Sequence, residues 1–186
     1  MAVPPHFTTL DLSGEFILNN ALSDSADDLL ARQGVSNPDL RRSIMHGVLS
    51  FNHYTDDDGS ERIWVAQEIE RQGLLVDEER MLDWQERSRD DPAFGPIISK
   101  IRRITTHGLE PRFLRAGWTP DTLKYGVLHY HVRKDTALGG RPWTTSETWG
   151  IESIDGKRYF ARHVELTIDG IDSETHLVYD YVGAII

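Results

Sequence analysis

The sequence predicts an all-β protein, a single antiparallel up-and-down barrel of about nine or ten strands with a two-helix cap near the N-terminus. Three observations carry this. Helical spacing of apolar residues is confined to about residues 23–46, and the chain beyond them reads as a succession of strands, so the helices cap a sheet rather than forming a layer. Asp58-Gly59, Asp155-Gly156 and Asp169-Gly170 are tight-turn signals, and consecutive hairpins build a meander without crossovers. A sheet of this length closed on itself encloses a pocket.

Gly14 to Asn19 reads as the first strand, with Phe16 and Leu18 on one face. Ser23-Asp24-Ser25 then offers N-cap oxygens, Ala26, Leu29 and Leu30 supply a buried stripe, and Gly34 stops the helix. Asn37-Pro38-Asp39 starts a second helix with a capping amide, a proline in the first turn and an acid at its positive end, and Gly47 ends it. Both helices are too short to stand alone, so they must pack on something. Strands are expected over Val48 to Tyr54, Ile63 to Ile69, Gly73 to Trp84 with an exposed charged end through Arg89, and Pro96 to Thr106. Leu109 to Trp118, with Pro111 and Gly117 and then Pro120, reads as a helical turn or loop inserted between strands. Tyr125 to Arg133, Trp143 to Ile151, Arg158 to Ile168 and Thr175 to Val182 complete the set.

The length of 186 residues favours one domain spanning residues 1–186. A net charge of −10, with Arg41-Arg42 and Arg102-Arg103 as isolated pairs, argues against nucleic acid as a partner. Met1 to Leu12 lacks the basic start and apolar run of a signal peptide, and no stretch approaches a membrane span, so a cytoplasmic protein without a membrane partner is expected. The absence of cysteine excludes thiolate nucleophiles and cysteine-ligated metals. Nothing specifies an oligomeric state.

The opening Gly14-x-Phe16, a helix-turn-helix containing Leu30-x-x-Gln33-Gly34-Val35, and a meander closing on Leu177-Val178-Tyr179-Asp180-Tyr181 resemble the intracellular lipid-binding proteins of the calycin superfamily. Leu22-Ser23-Asp24-Ser25 also resembles the start of the first helix in a group of small fungal lipocalin-like proteins. The resemblance implies a calycin-like barrel around a hydrophobic small-molecule ligand. The carriers' closing Arg-x-Tyr, which holds a fatty-acid carboxylate, falls on Leu177-Val178-Tyr179. Only the tyrosine is matched.

Trp64, Trp84, Trp143 and Trp149 are candidate aromatic walls for such a ligand. Trp143 and Trp149 share strand parity with Thr145 and Glu147, so if one faces the interior all four tend to. His129 and His131 share parity on the preceding strand. His-x-His is a metal-ligand spacing, but no third ligand is well specified, and no metal or other cofactor is expected. His176, on the last strand, is in a position where some calycin barrels hold haem; position alone is a weak signal. Arg158 and Arg162 alternate with the apolar Phe160, Val164 and Leu166, and one of these arginines facing inward would replace the missing carboxylate grip; Arg162 and Tyr179 are the candidate ligand-binding residues of these strands.

The expected function is therefore a cofactor-independent cyclase or isomerase acting on a hydrophobic small molecule, as in fungal specialised metabolism. It would confine a reactive conformer against tryptophans, with His131 and Glu147 as an acid/base pair, and His129 as a ligand-binding residue. A carrier that sequesters such a ligand is the alternative, and a scaffold with a filled barrel is a third class. The enzyme is preferred because titratable residues share the pocket-facing parity.

Overall fold

The computed structural model describes residues 1–69 and 74–185. Its elements run β1 (Gly14–Leu18), α1 (Ala26–Arg32), α2 (Pro38–His46), β2 (Leu49–Thr55), β3 (Glu61–Ile69), β4 (Leu74–Met81), β5 (Arg87–Asp91) and β6 (Gly95–Ile104). After a short turn of helix at Thr106–Gly108 come α3 (Arg112–Arg115), α4 (Pro120–Tyr125), β7 (Val127–Lys134), β8 (Thr144–Ile154), β9 (Lys157–Ile168) and β10 (Ile171–Gly183). No helix among the described residues is long and apolar enough to cross a membrane.

Local chemistry sets the element ends. The Ser25 hydroxyl accepts from the Asp28 amide and the Asn37 side chain from those of Asp39 and Leu40, satisfying N–H groups that a helix start leaves unpaired. At Asp155-Gly156 and Asp169-Gly170 both residues take positive φ, 49° and 73°, then 52° and 75°, the two-residue turn whose twist matches the strands it joins. At Asp58-Gly59 only the glycine does, at 83°, in a longer loop pinned by Asp56.

Every strand pairing is antiparallel, in the order β4-β3-β2-β1-β10-β9-β8-β7-β6-β5. The first strand thus closes the meander by pairing with both β2 and β10. The outermost strands β4 and β5 share no ladder, and side chains fasten the seam: Glu78 pairs with Arg80 and Arg89, and Arg89 reaches Asp91 at 3.1 Å. These inward charges also guard two sheet edges against foreign strands.

The strand β5 was not expected. Arg-Ser-Arg-Asp-Asp carries no apolar alternation because, of its inward residues, Arg89 meets Glu78 across the seam and Asp91 meets Arg89, charges instead of a core. Gly73, the expected start of the preceding strand, lies outside the described residues. Trp84 falls beyond β4, at φ 62°. The insertion forms α3 and α4, which pack outside β8 and β9 through Leu114, Trp118 and Ala161. Gly150 permits this approach, since a Cβ there would lie 2.8 Å from the Trp118 ring.

One part of the interior is packed solid. Phe16 meets Phe160 and Phe51 at centroid distances of 5.0 and 5.7 Å, with Phe7 and Tyr181 against it. Beyond them lies a polar plug. The Leu12 amide donates to His53 Nδ1, so Nε2 carries the ring hydrogen and donates to Glu61 Oε1 at 2.9 Å, while Arg103 grips the same carboxylate. Burial pushes the Glu61 carboxyl up, but His53 and Arg103 outweigh it and bring its pKa to about 2. A depressed folded-state pKa contributes stability that is fully present above the ordinary value of 4.5 and lost as pH falls from there toward 2. Urea midpoints measured between pH 6 and 2.5 should fall across that window, and Glu61→Gln should flatten the fall while lowering the midpoint at pH 7.

Candidate functional site

Between the phenylalanine layer and the helical cap the barrel is hollow. The enclosed space is about 170 Å³, somewhat more than the ~150 Å³ in which a protein interior holds a benzene molecule. Leu29, Leu30, Ile44 and Met45 of the cap roof it, and Phe51, Val65, Ile97 and Val132 belong to its wall. Both helices therefore bury their apolar face against the cavity rather than against a filled core.

A hydrogen-bonded cluster projects into this space. The β8 residues Thr145, Glu147 and Trp149 face inward, and the register sets Trp149 opposite Arg162 of β9, itself opposite Leu177 of β10. Glu147 Oε2 accepts from Arg162 Nη2 at 2.6 Å and Nε at 3.2 Å, and from Trp149 Nε1 at 3.0 Å. Arg162 Nη1 donates to the Tyr179 hydroxyl at 3.1 Å. Burial disfavours the charge on Arg162, yet Glu147 and Tyr179 outweigh it and hold the guanidinium above its ordinary pKa. Burial raises the Tyr179 phenol, with Arg162 opposing. Both side chains keep their proton at neutral pH.

Further charge surrounds the cluster. The Arg80 guanidinium lies 4.2 Å over the Tyr130 ring and 5.6 Å from that of Trp149, whose ring Arg162 approaches at 5.3 Å. Burial lowers the Arg80 pKa, and repulsion from Arg162 adds to it while Tyr130 opposes. Thr145 Oγ1 is buried in the cavity wall and has no hydrogen-bond partner among the described residues.

Of the site residues expected from sequence, Trp143, Glu147, Trp149, Arg162 and Tyr179 border the cavity. Trp64 does not: Ile63 and Val65 face inward, so the indole lies outside and donates to Asp77. Trp84 also lies outside, in a rim segment packed over His129 at 4.8 Å and His131 at 6.4 Å, with Arg102 4.1 Å from its ring. The expected meeting of His131 with Glu147 inside the barrel does not occur. The register pairs Tyr130 with Glu147 and His131 with Ser146, so the inward residues of β7 are Leu128, Tyr130 and Val132, and both histidines point outward. His129 bonds Ser146 Oγ at 2.9 Å. Burial, with Arg102, His131 and Lys100, lowers its pKa to about 4. Arg158, near the start of β9, does not border the cavity; it forms an ion pair with Asp121 at 2.7 Å and donates to the Phe7 carbonyl.

Sequence reading missed Arg80, Arg89 and Asp91 as cavity residues. Val76, Glu78 and Arg80 share a parity, but with one apolar member the strand reads as exposed. The Arg162 and Tyr179 pair does restore an arginine beside the tyrosine, as expected for a carboxylate grip. Glu147 already occupies that arginine.

No protein-family model matches the chain. Among curated proteins it is similar to probable pericyclase scpY of Mollisia scopiformis, 30% identical over 189 residues, which take in 98% of this chain and 95% of that one. It is also similar to pericyclase pydY of Acremonium sp, 25% identical over 192 residues and 98% of each chain. Among solved structures the fluorescent protein UnaG matches with a TM-score of 0.52 at 14% identity, over 92% of this chain and 97% of that one. That likeness bears out the calycin-like barrel.

Occupancy of the cavity has a spectroscopic readout, because Trp143 and Trp149 line it while Trp64 and Trp84 lie outside. A small polyaromatic probe should quench tryptophan emission saturably. Trp143→Phe and Trp149→Phe should each remove a substantial part of the quenching, and Trp64→Phe and Trp84→Phe should leave it intact.

Proposed function

The chain belongs to the family of these fungal pericyclases, and from that membership we propose that it closes a ring in a hydrophobic, conjugated substrate folded inside the barrel. The observation that carries the reading is the Glu147, Arg162 and Tyr179 hydrogen-bond chain, set in a cavity that also has Leu, Ile, Val, Phe and Trp walls.

A pericyclic reaction moves its electrons around a ring of atoms and requires neither a nucleophile nor a net proton transfer. Two contributions from the protein suffice. The first is confinement: walls that admit only the folded conformer remove rotational entropy before the reacting ends meet. The second is a hydrogen bond to an electron-withdrawing carbonyl conjugated with one of the reacting double bonds, which is stronger in the transition state as charge moves toward that oxygen. Tyr179 suits this role. Its oxygen accepts from Arg162, which polarises the phenol and leaves its own hydrogen free for a ligand. Glu147 positions Arg162, and this ion pair stands in the place of the His131 and Glu147 pair expected from sequence. The Thr145 hydroxyl, without a partner among the described residues, is a second polar group of the wall. A substrate larger than the resting cavity enters by displacing α1 and α2, which are seven and nine residues long.

Carriage without conversion draws support from the Arg162 and Tyr179 pair, since such a pair grips carboxylates in the lipid-binding family. Glu147 weighs against it, because a ligand carboxylate would have to displace a buried one.

The two readings separate by mass spectrometry. Incubated with linear conjugated polyenes that carry a carbonyl, the protein should yield a product of unchanged mass as a single stereoisomer, with no added cofactor. Tyr179→Phe should lower kcat about 10²-fold with KM little changed, on the scale of losing one preorganised hydrogen-bond donor. Saturable binding without an isobaric product would identify a carrier.

A further inference from the structure

A second constellation lies outside the barrel, on the face that α3 covers. Glu152 of β8, His163 of β9 and His176 of β10 point away from the cavity, and their ligand-type atoms all lie within 4.8 Å of one another. Glu152 Oε1 stands 2.8 Å from His163 Nε2, and Glu152 Oε2 stands 2.6 Å from His176 Nε2. Glu152 and His163 are 6% and 5% exposed.

The Phe113 carbonyl determines what His163 presents. It lies 2.7 Å from Nδ1 and can only accept, so Nδ1 carries a hydrogen and Nε2 of the neutral ring turns a lone pair toward the carboxylate. Two lone-pair atoms at that separation require a positive centre between them. A histidine that donates its far N–H to a backbone carbonyl is also the usual arrangement of a metal ligand, because that bond fixes tautomer and ring plane. The ring is further held between Trp118 at 4.3 Å and Phe113 at 4.8 Å, both nearly parallel to it.

We propose that Glu152, His163 and His176 bind a divalent transition-metal ion, zinc by its preference for two imidazoles and a carboxylate, on the outer wall of the barrel. With bonds of ~2.1 Å, tetrahedral ligand atoms stand about 3.4 Å apart, so loading spreads the two carboxylate–imidazole contacts of 2.8 and 2.6 Å by about 0.6 to 0.8 Å and requires the two imidazoles, whose ligand atoms lie within 4.8 Å of each other, to settle at a similar separation. Three protein ligands leave a fourth position for water or for Glu174, which lines the same surface depression. Access is preserved by Gly117, where a Cβ would come 2.5 Å from Glu152 Oε1. The ion ties β8, β9 and β10 together beneath the inserted helix, on the side opposite the cavity. It is therefore a structural site rather than a participant in ring closure, and it is independent of the histidine pair at 129 and 131.

The experiment uses full-length protein without a histidine tag, stripped with a chelator and titrated with Co²⁺ and then Zn²⁺. One equivalent of Co²⁺ should produce intense visible bands of a four-coordinate site, Zn²⁺ should displace it, and loading should raise the melting temperature. His176→Gln, at the more exposed ligand, should remain folded and bind on the order of 10²-fold more weakly or worse, the scale on which even the partners that orient a ligand act. The His129→Gln/His131→Gln double variant should titrate like the parent. Absence of stoichiometric binding by the folded parent, or binding unaffected by both His176→Gln and Glu152→Gln, would overturn the assignment. Either result would leave the three residues as an ion-pair cluster held by protons.

Discussion

The layer formed by Phe16, Phe51 and Phe160 is the constraint on which the remainder of the structure depends. A barrel of ten strands has more interior than its inward side chains fill. These rings, tilted or edge-on at 5.0 to 5.7 Å, consolidate one part as core and leave the part under the helices hollow. Trp149 belongs to both halves. Its ring packs on Phe51 at 5.5 Å, while its indole N–H donates to Glu147 in the cavity. The packed layer and the polar cluster of the cavity thus share one side chain.

Charges inside a barrel are costly unless each is paired and hydrogen-bonded. Arg162 is satisfied by Glu147 and Tyr179, and Arg89 pairs with Glu78 and Asp91 through its terminal nitrogens, its buried Nε alone having no partner among the described residues. Apolar residues of similar volume would pack the same space at less cost in desolvation. Retaining charged groups there makes sense for a protein that presents directed hydrogen bonds to a ligand in a medium of low dielectric, where they are strongest. The same charges explain how a sheet with two unpaired edges holds its shape, because the Glu78 and Arg89 pair spans the seam that backbone hydrogen bonds do not.

Histidines divide by environment more than by sequence neighbourhood. His129 and His131 lie under Trp84, one tilted and one edge-on, where burial, with Lys100 and Arg102 nearby, lowers the pKa of both. His163 and His176 instead converge on a buried carboxylate. Adjacent positions in a strand lie on opposite faces, so proximity in sequence says little about partnership in a barrel.

Much of the architecture was legible locally. The Asp-Gly turns, the Ser25 and Asn37 caps and the length-limited helices are decided by neighbours within a few residues, and so was the shared parity of Trp143, Thr145, Glu147 and Trp149. What the sequence could not determine was which parity of β7 faces inward, because alternation is unchanged when a strand is turned over and residues 135–143 form a connection long enough to leave the register free. Tertiary pairing of Tyr130 with Glu147 decided it, placing an aromatic ring where His131 was expected. The seam strand Arg87–Asp91 and the Glu152, His163 and His176 cluster were invisible for a related reason: each takes its meaning from partners on other strands, and no local pattern encodes a contact that only closure of the barrel creates.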